Sequence, residues 1–308
     1  MGVESFLSHY RIPSGRDAVE AWEACLQDTN PDASLADLRM ERYVADGCES
    51  RHSLIQSIVR NTYYMARPLL PLGIRKHLQR ARLKGWDEIS FPMWPVDLSA
   101  DRLAGSILKQ IIRCSGVDSL PFIWFWPNGY KSCTILTHDV ETRTGRDFVD
   151  GLMDIDDSFG LKSSFQIIPE RRYAVPEELL DGIKTRGFEV NVHDLNHDGR
   201  LYSDRKTFVA RAAKINEYCR RFGARGFRSA VLYRNLDWYG EFDFSYDMSV
   251  PNVAHLDPQR GGCCTVMPYF IGNVLELPLT TIQDYSLFHI LRDYSIDLWK
   301  RQLDIIDG

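Results

Sequence analysis

The amino-acid sequence predicts an α/β fold for the part of the chain that begins near residue 119. Short apolar runs rich in β-branched and aromatic residues alternate there with segments that have helical spacing of apolar positions. Strands that alternate with helices in this way pair in parallel through right-handed crossovers. An open doubly wound sheet and a (β/α) barrel both fit this alternation, and in both folds ligands bind at the carboxyl ends of the strands.

The strands and helices of this part can be placed from their boundary residues. Gly160 closes the first helix, Pro169 ends the second strand, Pro176 opens the second helix and Ser203 caps the third. The predicted strands are 131–137, 162–168, 188–192, 226–229, 242–246 and 273–277. The predicted helices are 146–159, 176–187, 203–222 and 295–306.

Two of these helices have a clear apolar face. In the first helix the face consists of Phe148, Leu152, Ile155 and Phe159. In the third helix it consists of Phe208, Ala212, Ile215 and Cys219.

Residues 1–118 are predicted to form a helix-rich accessory region, and residues 119–308 the α/β domain. Helical spacing covers 35–44, 53–64 and 74–83 in the accessory region. The last of these continues into a basic run at 75–84. A solvated helix face explains such a run, and weak contact with a membrane surface or an anionic glycan is the alternative.

Composition excludes several classes of protein. The chain has 37 Lys and Arg against 42 Asp and Glu, so it lacks the basic surplus of a dedicated nucleic-acid-binding protein. Its apolar stretches are too short for a transmembrane helix, and no signal peptide is visible at its start. The seven cysteines are scattered without a CxxC pair, which favours free thiols and a cytoplasmic location. The oligomeric state is not predicted.

Histidines and carboxylates follow the predicted strands. His193 and His197 are four residues apart and face the same way if the segment turns helically after its strand. Two surface histidines in a polar loop are the alternative interpretation. Asp139 and Glu141 lie on one side of an extended strand and could supply a carboxylate ligand. Two histidines and one carboxylate leave open positions on a divalent ion, as in hydrolytic zinc sites.

Two carboxylates beside one cation can have separate roles, since one can coordinate the ion while the other accepts a proton from water. An acidic surface turn is the alternative for this pair. Arg228, at the end of the predicted strand 226–229, can hold the base carboxylate by a bidentate ion pair.

These residues resemble motifs of a known family. Thr137-His-Asp-Val-Glu141, His193-xxx-His197 and Gly226-Phe-Arg-Ser229 look like the first three motifs of the polysaccharide deacetylase (NodB-homology) family, and Tyr246-Asp-Met-Ser249 resembles the fourth. The resemblance covers about residues 119–308. It implies an irregular (β/α) barrel and a metal-dependent amidohydrolase of the cytoplasmic bacterial type, preceded by an accessory region.

The resemblance also implies residue roles. Asp139 becomes the general base, Arg228 the residue that orients it, and Glu141, His193 and His197 the ligands of a divalent metal, expected to be zinc. The family commonly has adjacent aspartates, whereas Val140 separates Asp139 from Glu141 here, so the two roles could be exchanged. The family's general acid is a late histidine, which we expect beyond Gly308 in a chain truncated at its C-terminus.

The predicted function is removal of an acetyl group from an N-acetylated sugar or surface-polysaccharide precursor. Tyr233, Asp247 and Thr280 are the candidate substrate-binding residues. Two alternatives remain open. One is hydrolysis of a non-sugar amide or ureide on the same scaffold, and the other is a catalytically silent glycan-binding protein.

Overall fold

A computed structural model describes residues 31–47, 72–115, 118–119 and 124–308. The helix predicted for 53–64 lies outside the described residues. The strands are β1 (Thr137–Val140), β2 (Ser164–Ile167), β3 (Glu189–His193), β4 (Gly226–Arg228), β5 (Tyr246–Asp247), β6 (Tyr269–Ile271) and β7 (Val274–Glu276). The α-helices are α1 (Pro31–Arg39), α2 (Leu72–Leu83), α3 (Ser99–Ser115), α4 (Arg143–Asp147), α5 (Val149–Ser158), α6 (Glu177–Thr185), α7 (Arg205–Phe222) and α8 (Asp297–Asp307).

The described residues form two compact units. The first contains the described parts of 1–133 together with 251–269 and 278–308, and the second contains 134–250 and 270–277. The boundary predicted between residues 118 and 119 remains a prediction, since compactness does not show which segments fold independently.

A mostly parallel seven-stranded sheet organises the second unit, in the order β1-β2-β3-β4-β5-β7-β6. The ladders from β1 to β5, and from β5 to β7, are all parallel. The two-residue connection between β6 and β7 makes that pair an antiparallel hairpin, and Gly272 provides the left-handed residue it needs, with φ of 60°. In the described residues no ladder joins β1 to β6. The predicted mixed α/β fold is therefore confirmed, whereas closure into a barrel remains a prediction.

One face of this sheet is apolar and is covered by α7. Phe165 pairs with Val190 and Val192 pairs with Phe227, so these side chains share a face, and each is at most 2% exposed. The face predicted for α7 is confirmed, because Phe208, Ala212, Ile215 and Cys219 are all buried. The N-cap differs from the prediction: Asp204, not Ser203, accepts the hydrogen bond from the Thr207 N–H, at 2.8 Å.

The first predicted strand is misplaced. Residues 131–135 are exposed and outside regular structure, whereas the strand is the polar segment Thr137–Val140. The apolar run at 131–137 suggested burial, but pairing with β2 begins only at Thr137. Tertiary pairing thus overrides local strand propensity here, and it places Asp139 inside the strand instead of after it.

The apolar face predicted for helix 146–159 is also wrong. The helix is interrupted at Phe148, and the buried residues of α5 are Val149, Met153 and Asp156. Phe148, Ile155 and Phe159 are 54%, 49% and 74% exposed. Asp156 faces inward because it accepts hydrogen bonds from Ser163 Oγ at 2.6 Å and pairs with His138 Nε2 at 2.9 Å. Gly160 does end the helix, with φ of 67°.

The strand predicted for 242–246 forms only at its end, since β5 begins at Tyr246. Phe242 and Phe244 are buried without joining the ladder, and Phe244 stacks on Phe227 with ring centroids 4.8 Å apart. These two apolar side chains lie in a loop and fill the core, so they do not mark a strand. The strands predicted for 162–168, 226–229 and 273–277 are confirmed with shorter bounds, as is helix α6. The strand predicted for 188–192 is confirmed one residue later, at Glu189–His193.

The first unit is built on helices. Its core contains Leu35, Ala104, Ile107 and Ile111, and the Ala100 N–H at the start of α3 donates to the Cys264 carbonyl at 2.9 Å. The helix predicted for 74–83 is confirmed as α2, and the one predicted for 295–306 as α8. The helix predicted for 35–44 is instead α1 followed by a 3-10 helix at Arg42–Gly47. Contact of residues 75–84 with a membrane or glycan remains a prediction.

Among the described residues, no helix is both long and apolar enough to cross a membrane.

Candidate metal centre

Neighbouring strands bring the predicted site residues to one edge of the sheet. β1 carries Asp139 and is followed by Glu141, while His193 ends β3 and pairs in register with Arg228 of β4. The carboxyl ends of parallel strands lie at the same edge. Side chains more than 80 positions apart in sequence therefore meet: the guanidinium of Arg228 lies 2.9 Å from the carboxylate of Asp139.

Glu141, His193 and His197 form a compact group of potential metal ligands. One ligand atom from each lies within 4.8 Å of the other two. His197 Nε2 is 3.1 Å and His193 Nε2 is 3.9 Å from Glu141 Oε1. Ligands about 2.0–2.2 Å from a tetrahedral zinc ion lie about 3.4 Å from one another, so these separations suit a single ion.

The donor atoms also fit a cation chemically. The Nε2 atom of His193 is buried, and no described residue forms a hydrogen bond with it. It lies 3.9 Å from both Asp139 Oδ2 and Glu141 Oε1. A buried nitrogen without a hydrogen-bond partner, facing two carboxylates, is costly unless something positive lies between them. A divalent ion bound by two imidazoles and one carboxylate would satisfy all of these groups.

A backbone contact fixes the orientation of His193. Its Nδ1 is 3.1 Å from the carbonyl oxygen of Arg228, which can only accept, so Nδ1 carries the proton. In the neutral ring Nε2 is then the bare nitrogen that a metal requires. Metal-binding histidines are held in the same manner by an acceptor on their other nitrogen.

The spacing of the histidines suggested a helical turn after β3, but the loop there is not helical. Asp194 and His197 both have left-handed backbone conformations, with φ of 53° and 55°. Side chains stabilise these turns, since Asp194 Oδ1 accepts from the Leu195 N–H at 2.6 Å and Asn196 Oδ1 accepts from the Asp198 N–H at 3.2 Å. The rings of His193 and His197 still meet, with centroids 4.8 Å apart.

Arg228 links β1 to the centre of the sheet. Its Nη1 donates to both Asp139 Oδ1 and Thr137 Oγ1, at 2.9 Å each, and its Nε donates to the Met248 carbonyl at 3.1 Å. The side chain of Arg228 is 5% exposed and that of Asp139 is 25% exposed. The guanidinium is therefore fixed by the protein core, and it holds one carboxylate oxygen of Asp139 while the rest of that group faces the site.

The electrostatic character of the site favours positive charge. Burial alone would raise the pKa of Glu141, but the neighbouring imidazoles of His193 and His197 hold it well below its ordinary value. Burial would lower the pKa of His193, yet the carboxylates of Asp139 and Glu141 raise it. The raised pKa of His193 indicates a negative potential at its imidazole, and such a potential favours a bound cation.

The three predicted substrate-binding residues have different surroundings. Tyr233 is 6% exposed and Asp247 is 0% exposed in the second unit. Asp247 accepts hydrogen bonds from Tyr239 at 2.7 Å and Ser249 at 2.6 Å, so it offers no surface to a substrate in this structure. Thr280 belongs to the first unit, and its role remains a prediction.

Sequence reasoning missed several polar residues around the site. Glu276 of β7 is fully buried beside Asp247, whereas from sequence it was included only as part of the predicted strand 273–277. Arg172 and Tyr173 follow β2 and contact the loops that carry His197 and Glu141. Their position at the carboxyl end of a strand was the available signal, since that edge also carries the predicted ligands.

No family model and no curated protein matches the chain. Among solved structures, the crystal structure of a proposed polysaccharide deacetylase from Mycobacterium smegmatis is similar to it, with 20% sequence identity and a TM-score of 0.42. The similarity covers 59% of this chain and 74% of that chain. A likeness at this level carries no functional argument, so the function is inferred from the residues of the site.

Proposed function

We propose that this chain is a metal-dependent hydrolase that removes an acetyl group from an N-acetylated sugar or a surface-polysaccharide precursor. The observation that carries the proposal is the cluster of Glu141, His193 and His197 beside the Asp139–Arg228 pair. Its motifs resemble those of polysaccharide deacetylases, and the geometry supports one ligand group and one separate carboxylate. Cytoplasmic location remains a prediction.

Glu141, His193 and His197 would hold the ion, with zinc the expected metal because two imidazoles and a carboxylate are typical of catalytic zinc sites. When bound, zinc would act as a Lewis acid and would lower the pKa of a coordinated water to about 7. Glu141 is assigned to the ligand group because it lies close to both histidines, whereas Asp139 is bonded to Arg228. This arrangement favours the predicted roles over their exchange.

Asp139 would then act as the general base. Its Oδ1 accepts from Arg228 and its Oδ2 lies 3.9 Å from His193 Nε2, so Oδ2 faces the ligand group. A carboxylate held in this way can accept the proton of a water that attacks the acetyl carbonyl carbon. Arg228 prevents the carboxylate from rotating, because Thr137 and the Met248 carbonyl fix the guanidinium in turn. The general acid that protonates the departing amine remains a prediction.

An acetate-release assay combined with metal analysis tests this function. The purified chain is incubated with a panel of N-acetylated sugars and oligosaccharides, and its zinc content is measured by mass spectrometry. Asp139→Asn should retain zinc and lose acetate release by about 10²–10⁴-fold, the usual contribution of a general base. Asp150→Asn is the matched control, since Asp150 is an exposed aspartate in the first turn of α5.

The alternatives predict different results. Bound zinc with hydrolysis of an amide or ureide, but no acetate from sugars, would favour the second enzyme class. Glycan binding without any hydrolysis would favour a silent glycan-binding protein. A chain that neither binds a divalent metal nor releases acetate would refute the proposal.

A further inference from the structure

A short segment after β2 contacts both sides of the candidate metal centre. This segment, residues 170–174, is here called the strap. Arg171 has a left-handed backbone conformation with φ of 71°, which is uncommon for a residue other than glycine, and it lies in a bend of the chain. The next two residues, Arg172 and Tyr173, each make hydrogen bonds to a different loop of the site.

Tyr173 joins the ends of β1 and β2. The Ile168 N–H donates to the Tyr173 hydroxyl at 3.0 Å, and that hydroxyl donates to the Val140 carbonyl. Val140 is the last residue of β1 and immediately precedes Glu141. The phenol group therefore adds a contact to the backbone from which Glu141 projects, beside the ladder between β1 and β2. Arg146 adds a second link, since its Nη1 donates to the Ala174 carbonyl at 3.2 Å.

Arg172 holds the loop that carries His197. Its Nε donates to the Asn196 carbonyl at 3.2 Å, and its Nη2 donates to the His197 carbonyl. The backbone adds a further bond, from the Glu170 N–H to the Leu195 carbonyl at 3.0 Å. The loop that carries His197 lies outside the sheet ladder, so the position of this imidazole depends on contacts of this kind.

We propose that the strap sets the separation between Glu141 and His197 and so prepares the two side chains for a divalent cation. Tyr173 and Arg172 are the positioning residues, and neither is assigned contact with a substrate. The inference rests on the proposed function, because it concerns the same metal centre. Glu141 Oε1 and His197 Nε2 are 3.1 Å apart, close to the spacing of about 3.4 Å for two ligands of tetrahedral zinc. A small drift of either loop would therefore weaken binding.

Two variants remove the contacts of the strap one at a time. Tyr173→Phe deletes the bridging hydroxyl, and Arg172→Gln removes the two-pronged contact to the 196–197 backbone. Tyr294→Phe and Arg220→Gln are matched controls, since Tyr294 is 77% exposed and the Arg220 side chain is 65% exposed. Zinc affinity of the 308-residue chain is measured by competition with a chromophoric chelator. Hydrogen exchange of the amides of 194–198 is measured by mass spectrometry on the metal-free protein.

Each strap variant should bind zinc about 10- to 100-fold more weakly, the effect expected for groups that hold metal ligands in place. Arg172→Gln should also accelerate amide exchange at 194–198 without metal, whereas both controls should match the wild type. Unchanged zinc affinity in both variants, with or without a loss of thermal stability, would overturn the proposal. Failure of the wild-type chain to bind any metal would refute the proposed function instead. In that case, unchanged amide exchange in metal-free Arg172→Gln would independently overturn the proposal that the strap positions the loop carrying His197.

Discussion

Replacement of Glu276 by glutamine should flatten part of the pH dependence of stability. Glu276 of β7 pairs in register with Asp247 of β5, and both side chains are 0% exposed. Burial, followed by the nearby charge of Asp247, raises the pKa of Glu276 well above its ordinary value. Asp247 accepts hydrogen bonds from Tyr239 and Ser249, which favour its charged form. Glu276 therefore carries the proton that the pair shares.

The sign and size of the effect follow from proton linkage. In the unfolded chain a glutamate has a pKa of about 4.3 and releases its proton above that pH, whereas the folded chain keeps the proton on Glu276. The free energy of unfolding therefore falls as pH rises through this window, by about 1.4 kcal/mol per pH unit. From pH 5 to pH 7 the loss from this one group reaches at most about 2.7 kcal/mol.

Glutamine at position 276 cannot titrate but keeps the contacts. Its carbonyl oxygen can accept from the Val250 N–H, which lies 3.0 Å from Glu276 Oε1, and its amide group can donate to Asp247. The free energy of unfolding of Glu276→Gln, relative to wild type, should therefore rise by up to about 1.4 kcal/mol per pH unit between pH 5 and pH 7.

Urea denaturation followed by circular dichroism at pH 5, 6 and 7 measures this difference. Glu217→Gln is the control, a matched substitution of a glutamate that is exposed on α7. An offset between Glu276→Gln and wild type that does not change with pH would show that Glu276 is ionised in the folded protein. That result would refute the shared-proton interpretation.

Three further predictions concern the metal, the core and the thiols. Exhaustive dialysis against a chelator should abolish acetate release and added zinc should restore it, whereas activity that survives complete metal removal would contradict a metal centre. Phe227→Ala should lower the free energy of unfolding by about 3–5 kcal/mol, measured by denaturation, because Phe227 is 0% exposed; a loss below about 1 kcal/mol would contradict its place in the core. Burial raises the pKa of Cys219 to about 12, so iodoacetamide at pH 8 should modify the exposed Cys133 long before Cys219 in peptide mass spectra, and equal rates would refute this.

The elements that could be predicted from sequence are those in which burial and periodicity agree. Helix α7 was placed with its buried face because Phe208, Ala212 and Ile215 repeat at helical spacing and pack directly on the sheet. The apolar face predicted for helix 146–159 was wrong, because Phe148 interrupts that helix and the polar Asp156 faces inward to meet His138 and Ser163. A pattern of apolar residues does not reveal a buried carboxylate whose partners lie in other elements.

The site residues were predicted more completely than the contacts that hold them in position. Strand ends are visible in sequence, so the acids at 139 and 141 and the histidines at 193 and 197 could be gathered at one edge before the structure was known. The loop conformation at His197 could not be predicted, because it depends on side-chain turns at Asp194 and Asn196 and on contacts from Arg172. The contact from Arg172 to Asn196 links residues 24 positions apart and leaves no periodic signal in the sequence.

The wrong bounds predicted for the first strand follow from the polar side chains of β1 and of the strands next to it. Asp139, Gln166 and Asn191 are register partners on β1, β2 and β3, so their polar side chains form a row across one face. Gln166 and Asn191 are 0% exposed, and Gln166 donates to Ser164 Oγ at 2.7 Å while Asn191 donates to the Tyr246 hydroxyl at 2.7 Å. A sheet shaped by stability alone would bury apolar side chains there, since polar groups must all be paired to avoid a penalty. The polar row is explained if this face serves the carboxylates and imidazoles at its end, and the same requirement makes β1 look unlike a buried strand in sequence.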